Sequence, residues 1–434
     1  MMGRPVLSVI RFRAKRSSWP STLSLAAIFL SLAVAVGCGD YFRPVAIPVL
    51  RPGGNPALLH TAVVVNQNIG GTTGGTTHVD MSGDSNVGNF TVGRGPVHAS
   101  IISTLRVLTA NPGDNSVSFY GFSSPGSVIS TVTLPTNANP VFVGGAETAN
   151  SYVVMKGINQ VGVINTNSGS LIGTINVGAS PVALAETGDF NKLYVVNQGD
   201  GTVSVVSLFD RTVLTTIPVG VNPSWGVLSA DSTQFFVVNT GSGTVSVIDT
   251  TADAVIATIP AGTAPNYCFF DSRLLRLLVT DPVGGNLTII RTDTTPPAAL
   301  ATITSASLGK APLSVTALQD GTRIYVANSG DQVPCTDGSN GTACGTVTII
   351  DAVGLFRRAT VTVGTNPAFI ASSPDSTRVV VASRGSGLGI DPACAGVTPS
   401  LSVCGSITSI QTTTDTVINT LTPGAPNPTF IAIQ

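Results

Sequence analysis

Side chains able to do chemistry are sparse in this 434-residue chain, and their spacing argues against most reaction types. The three histidines, His60, His78 and His98, are too few for the ring of imidazoles that a copper cluster needs, and no CxxCH offers covalent haem attachment. No G-x-S-x-G elbow and no Walker loop occurs. Glu147 and Glu186 follow first strands in neighbouring units and could face a channel as a carboxylate pair. Without a third ligand or a positioned histidine they make a poor metal or acid–base site. Asn197, Asn239 and Asn328, and likewise Asp249 and Asp351, recur at strand ends, where bonding to turn amides accounts for them better than a polar site does.

Six cysteines sort by position. Cys335 and Cys344 bracket one loop and Cys394 and Cys404 another, with no histidine near either pair. In an exported chain this reads as two local disulfides rather than a zinc site. Cys268, inside the apolar run NYCFFD, reads as a buried thiol. Cys38 has a different setting. Residues 1–22 carry Arg4, Arg11, Arg13, Lys15 and Arg16 and no acid; a mostly apolar run, 23–36, follows and ends at Gly37-Cys38. A basic head, a short apolar middle and a small-residue end describe a secretory signal rather than a membrane span, which needs roughly 20 apolar residues. The Ala35-Val36-Gly37-Cys38 ending resembles a bacterial lipobox, which implies a lipid on Cys38. Ala35 departs from the usual Leu, and simple secretion is the alternative.

Aromatic residues supply the remaining candidate site. Prolines recur at Pro96, Pro140, Pro181, Pro223, Pro265, Pro312, Pro367 and Pro428, and two places after each stand His98, Phe142, Ala183, Trp225, Tyr267, Ser314, Phe369 and Phe430. Five of these eight are Phe, Trp or Tyr in a chain where those types make up 6%. If the positions are equivalent, His98, Phe142, Trp225, Tyr267, Phe369 and Phe430 gather at one mouth of a central channel, suited to stacking on a sugar, a peptide or an aromatic ligand. The competing expectation is that they pack between structural units and never meet solvent.

The elements that would position them are repeats. LYVVNQGDGTVSVVSLFDRTVLTTIPVGVNP at 193–223 is followed by FFVVNTGSGTVSVIDTTADAVIATIPAGTAP at 235–265. Runs rich in β-branched and aromatic residues, such as 235–238, 245–248 and 254–260, read as strands, and the Asn239 to Gly243 stretch between the first two is a hairpin signal. A further strand starts after Pro223. Four antiparallel strands in roughly 40 residues, with no helix, describe a β-propeller blade. Second-strand phrases from TAVVVN at 61–66 to RVVVAS at 378–383 number eight, so the sequence predicts an all-β, eight-bladed propeller. The first unit has no room for its own first strand, and 427–434 is a strand without a unit. Pairing the two would close the ring.

The YVVN, TVSVID and TIPVG phrases resemble the YVTN-repeat β-propellers of bacterial and archaeal exported and surface proteins, over about 57–434 and weakest where THVDMSG replaces TVSVID. The resemblance implies a propeller and a cell-envelope setting. Seven blades, the number most often described in that family, is the alternative to eight. The expected organisation is a signal at 1–37, a lipid-anchored tether at 38–56 and one propeller at 57–434.

Charge agrees with export. Of 21 Lys and Arg, five lie in the head; the remaining 16 face 22 Asp and Glu, a net charge of −6. A nucleic-acid partner is therefore not expected. The function expected is that of a monomeric, non-enzymatic binding or interaction module at the cell envelope, touching the membrane through its anchor only and needing no cofactor. Its partner would be an envelope protein, a peptide or a glycan. A lactonase-like, metal-dependent propeller hydrolase is the alternative.

Overall fold

The computed structural model describes residues 60–68, 73–102, 106–121, 128–145, 149–334, 343–385, 405–423 and 426–433. The signal, the tether, Cys38, Cys335, Cys394, Cys404 and Glu147 lie outside the described residues. Among the described residues thirty-two strands form eight four-stranded antiparallel sheets. The sheets are blades: blade 1 holds 61–92 and 428–433, and blades 2 to 8 hold 98–133, 140–176, 181–218, 223–260, 267–303, 312–365 and 367–421. Their innermost strands neighbour one another in a closed circle, blade 8 returning to blade 1. The protein is an eight-bladed β-propeller.

Closure uses both ends of the repeat array. Pro428–Ile433 becomes the inner strand of blade 1, antiparallel to Thr61–Asn66, with Val64 opposite Ile431 and Val65 opposite Phe430. The THVD segment lies in a full strand, Gly74–Asp80, so the divergent first unit is a true blade.

Burial explains why the repeat needs its copies. Second and third strands such as Lys192–Asn197 and Thr202–Ser207 are buried on both faces, because a neighbouring blade covers each. A hydrophobic cluster fills every one of the eight seams, that between blades 4 and 5 joining Tyr194 and Val196 to Leu228, Phe235 and Val237. A lone blade would expose both its apolar faces.

The outer strand of every blade carries a β-bulge at the same place, for example between the partners of Val205 and Val206. The unpaired residue is often an exposed aliphatic, as Leu214 and Ile256 are. Bulging breaks the ladder that another strand would need in order to extend the sheet.

Two small departures from the all-strand expectation occur. A 3-10 turn, Lys156–Ile158, replaces the glycine hairpin in blade 3, and a four-residue helix, Ser305–Leu308, lies between blades 6 and 7. Among the described residues no helix is long and apolar enough to cross a membrane.

Candidate functional site at the channel mouth

Six of the eight inner strands enter the ring by the same local device. The residue before the proline is left-handed in seven blades, at Gly95, Asn139, Ser180, Asn222, Ala311, Asn366 and Asn427, with φ between 47 and 62°. In all of these but the Gly95 blade its carbonyl accepts the N–H of the residue after the proline's second-strand partner: Ser180 from Gln198 at 3.0 Å, Asn366 from Arg384 at 3.0 Å, Asn427 from Gln67 at 3.0 Å. Proline, lacking an N–H, is tolerated because this strand is the sheet's edge. A register shift then sets the residue two places on against the residue preceding the second strand's last, as Trp225 faces Val238 and Phe369 faces Ala382. Equivalent backbones deliver equivalent side chains to one level of the channel.

His98, Phe142, Trp225, Tyr267, Phe369 and Phe430 meet there in a closed cycle. Ring centroids are 3.8 Å apart for His98–Phe142, 5.6 Å for Phe142–Trp225, 5.1 Å for Trp225–Tyr267, 5.4 Å for Tyr267–Phe369, 4.4 Å for Phe369–Phe430 and 4.2 Å for Phe430–His98. Phe142 and Trp225 belong to blades 3 and 5, and Tyr267 and Phe369 to blades 6 and 8. Residues of non-adjacent blades can touch only across the channel. The small side chains Ala183 and Ser314, both buried, are what allow the aromatic rings to reach past blades 4 and 7.

Both sequence-level expectations for these residues therefore describe part of the arrangement. Phe142, Trp225, Tyr267, Phe369 and Phe430 pack against seam clusters, yet each remains half-buried rather than enclosed. Neighbouring rings are in direct contact, so nothing can slide between them; a ligand would meet their faces and edges from the mouth.

His98 is 7% exposed, and its Nδ1 accepts the Val143 N–H at 3.4 Å, which places the ring proton on Nε2. Burial among Phe142, Phe430 and Trp225 pushes its pKa down to about 3. His78, buried between blades 1 and 2 with its Nε2 3.2 Å from the Tyr120 hydroxyl, is lowered to about 4 by the same cause. Burial raises the phenol of Tyr267 and the thiol of Cys268, which is the free cysteine among the described residues.

The two histidines make acid stability predictable. Their folded pKa values lie below the unfolded value of about 6.5, so the unfolded chain binds more protons in between. Their contribution is complete above that value and is lost as pH falls toward about 4 and about 3. The thermal midpoint should drop between about pH 6.5 and pH 4.5, and less so in His78→Gln. A flat profile over that interval would refute the neutral buried state.

The asparagines need a correction. Asn197, Asn239 and Asn328 are fully buried and do not bond their own turns. Each donates Nδ2 across to hydroxyls of the third strand, Asn239 to Thr244 at 3.1 Å and to Ser246 at 2.9 Å. Asp249 and Asp351 do cap turn amides, Asp249 accepting from Thr251 and Ala252. Glu186 is half-buried at the end of its strand. Among the described residues no three His, Cys, Asp or Glu are grouped to hold a metal ion.

Sequence reasoning missed a set of latches between blades. A cation at the start of a second strand reaches the outer hairpin of the next blade: Lys192 to Asp253 at 2.7 Å, Arg276 to the Ala352 carbonyl at 2.7 Å, Arg323 to Asp415 at 2.9 Å, Arg378 to Asp84 at 3.0 Å, and Arg106 to the Thr166 carbonyl. The signal was present as a lone Lys or Arg before LYVV, LLVT, IYVA, VVVA and VLTA, in a chain with only 10% charged residues.

No protein-family model matches the chain, and no curated protein matches it. Solved structures share its fold. Hydrazine synthase of Kuenenia stuttgartiensis is 19% identical over 67% of this chain and 92% of its own, with a TM-score of 0.51. The dihydro-heme d1 dehydrogenase NirN, solved in complex with DHE, is 12% identical over 89% of this chain and 78% of its own, TM-score 0.67. A functionally unknown protein from Desulfotomaculum acetoxidans DSM 771 is 12% identical over 86% and 98%, TM-score 0.53. At these identities the likeness is one of fold, and the functions of the neighbours differ.

Proposed function

We propose that this chain is an exported, lipid-anchored propeller of the YVTN-repeat kind, acting as a non-enzymatic binding module at the cell envelope with its ligand held over the aromatic ring. The observation that carries the reading is the convergence of six rings from six blades on one mouth, each ring residue standing at the same cross-strand position of its inner strand. Structural needs alone would be met by aliphatic residues of the kind that fill the seams. Six half-exposed or stacked rings at one level supply flat contact area at low entropic cost.

The anchor follows from the basic head and the Gly37-Cys38 ending. Disulfides Cys335–Cys344 and Cys394–Cys404 would pin the loops between second and third strands of blades 7 and 8. The prolines that open these blades' inner strands lie opposite their second strands, Pro312 opposite Asn328 and Pro367 opposite Ser383, so the second strands run toward the face of the aromatic mouth as they approach these loops.

The test is retention of a component of the producing cell's envelope by the full chain, compared with a folded Trp225→Ala, Tyr267→Ala double variant. The expected result is capture by the native protein and release by the variant. Equal capture by both would move the site away from the mouth and sink this reading. In the same cells Cys38→Ala should shift the protein from the membrane to the soluble fraction; unchanged membrane association would refute the anchor.

A further inference from the structure

Resting on that binding reading, and going further, we infer that the ligand class is a glycan. An annulus of hydrogen-bonding side chains, four uncharged and two cationic, surrounds the aromatic floor on the same face. It is formed by the residue after the second-strand partner of the inner-strand proline, namely Gln67, Lys156, Gln198, Thr240, Ser329 and Arg384, with Pro112 and Pro282 at the equivalent place in the two other blades. Each of the six is partly or fully exposed, and each is fixed by its backbone N–H to the linker carbonyl of its own blade.

The side chains are held rather than loose. Lys156 Nζ donates to Gln198 Oε1 at 2.8 Å, Asn427 Nδ2 to Gln67 Oε1 at 3.1 Å, and Thr240 Oγ1 to Ser224 Oγ at 2.7 Å. The two glutamines accept with their carbonyl oxygens, which leaves their NH2 groups as donors toward a ligand.

The carboxylates of this face are turned to the backbone: Asp114 accepts from Arg94 N, Asp200 from Ala179 N, Asp331 from Lys310 N, and Asp281 from Thr263 N and Ala264 N. Among the described residues these carboxylates already accept backbone N–H groups at the rim, so a cationic peptide would meet them there and not over the rings. A pyranose presents apolar C–H faces to aromatic rings and hydroxyls at its edge, matching flat rings inside a circle of amides and hydroxyls. Lys156 and Arg384 in the same circle suit a sugar that also carries a carboxylate.

Trp225 reports on the site directly. The chain has two tryptophans, and in a full-length Trp19→Phe protein Trp225 is the sole emitter. This protein is titrated with malto-, cello- and chito-hexaose as neutral glycans and with hexagalacturonate as an acidic one. The expected result is a saturable change in Trp225 emission with at least one of them, weakened roughly tenfold in Gln67→Ala, Gln198→Ala, the loss of one or two ligand hydrogen bonds. A response to hexagalacturonate alone, abolished in Arg384→Gln, would assign the acidic class.

Silence with all four sugars overturns the glycan inference; where the native chain still captures an envelope component that the Trp225→Ala, Tyr267→Ala variant releases, the binding reading stands without it. A saturable change untouched in the double glutamine variant overturns the role of the annulus, provided its circular dichroism and thermal midpoint match the parent.

Discussion

A chain ending at Pro423 should not yield a stable monomeric propeller. The missing segment supplies the inner strand of blade 1, and its side chains enter two seams: Ile431 and Ile433 pack with blade 8, Phe430 and Ala432 with blade 2. Ile431 is 3% exposed, and burying one large aliphatic or aromatic side chain is worth about 1.5–3 kcal/mol. Losing several such contacts, with the backbone ladder to Thr61–Asn66, approaches the whole of an ordinary domain's stability, about 5–15 kcal/mol. The truncation also bares the edge of a strand that is buried throughout, an invitation to pair with another chain. Size-exclusion chromatography should show aggregates, and a synthetic peptide of residues 424–434 added during refolding should restore the monomer. A monodisperse truncated protein with the parent's thermal midpoint would show that the clasp is dispensable.

Asp415→Asn is expected to be the most damaging single substitution among the blade latches. Asp415 accepts from Arg323 Nε at 2.9 Å and from the buried Tyr325 hydroxyl at 3.0 Å, while Arg358 Nε lies 3.7 Å away. The Arg323 and Asp415 side chains are 17% and 12% exposed, so water screens the pair poorly. Removing one charge leaves the other buried and uncompensated, a loss of about 3 kcal/mol. Asparagine is the informative replacement because Asp415 sits at φ 55°, a left-handed conformation that Asn adopts at less steric cost than Ala. Backbone strain then adds nothing to the measured change. In urea the unfolding midpoint should fall, and Arg323→Met in the same chain should recover much of the loss by removing the stranded cation. A change below about 0.5 kcal/mol would place the pair with exposed surface bridges, which contribute little.

Much of the fold was legible because a propeller writes its architecture into a repeat. The strand predicted at 254–260 is found at Ala254–Pro260, and the orphan at 427–434 supplies the strand Pro428–Ile433. Period and turn chemistry are local properties, and eight copies average out the ambiguity of any one. The latches were less legible. Lys192 and Asp253, or Arg378 and Asp84, are far apart in the chain, and only ring closure decides that the cation of one blade meets the outer hairpin of the next. The asparagines were misjudged because a residue at a strand end next to a glycine hairpin has two sets of amides and hydroxyls within reach. Burial of both strand faces made the cross-strand hydroxyls of Thr244 and Ser246 the partners of Asn239.

By itself the sequence determined the blade, the count of eight and the seam-filling character of the second and third strands, since these follow from nearest-neighbour periodicity and from the need to bury two apolar faces. It also placed aromatic residues at one repeat position. Only the tertiary structure decided that six of them touch across the channel, because that contact depends on the ring's closure and on the small side chains Ala183 and Ser314, which leave the rings of blades 3 and 5, and of blades 6 and 8, free to meet.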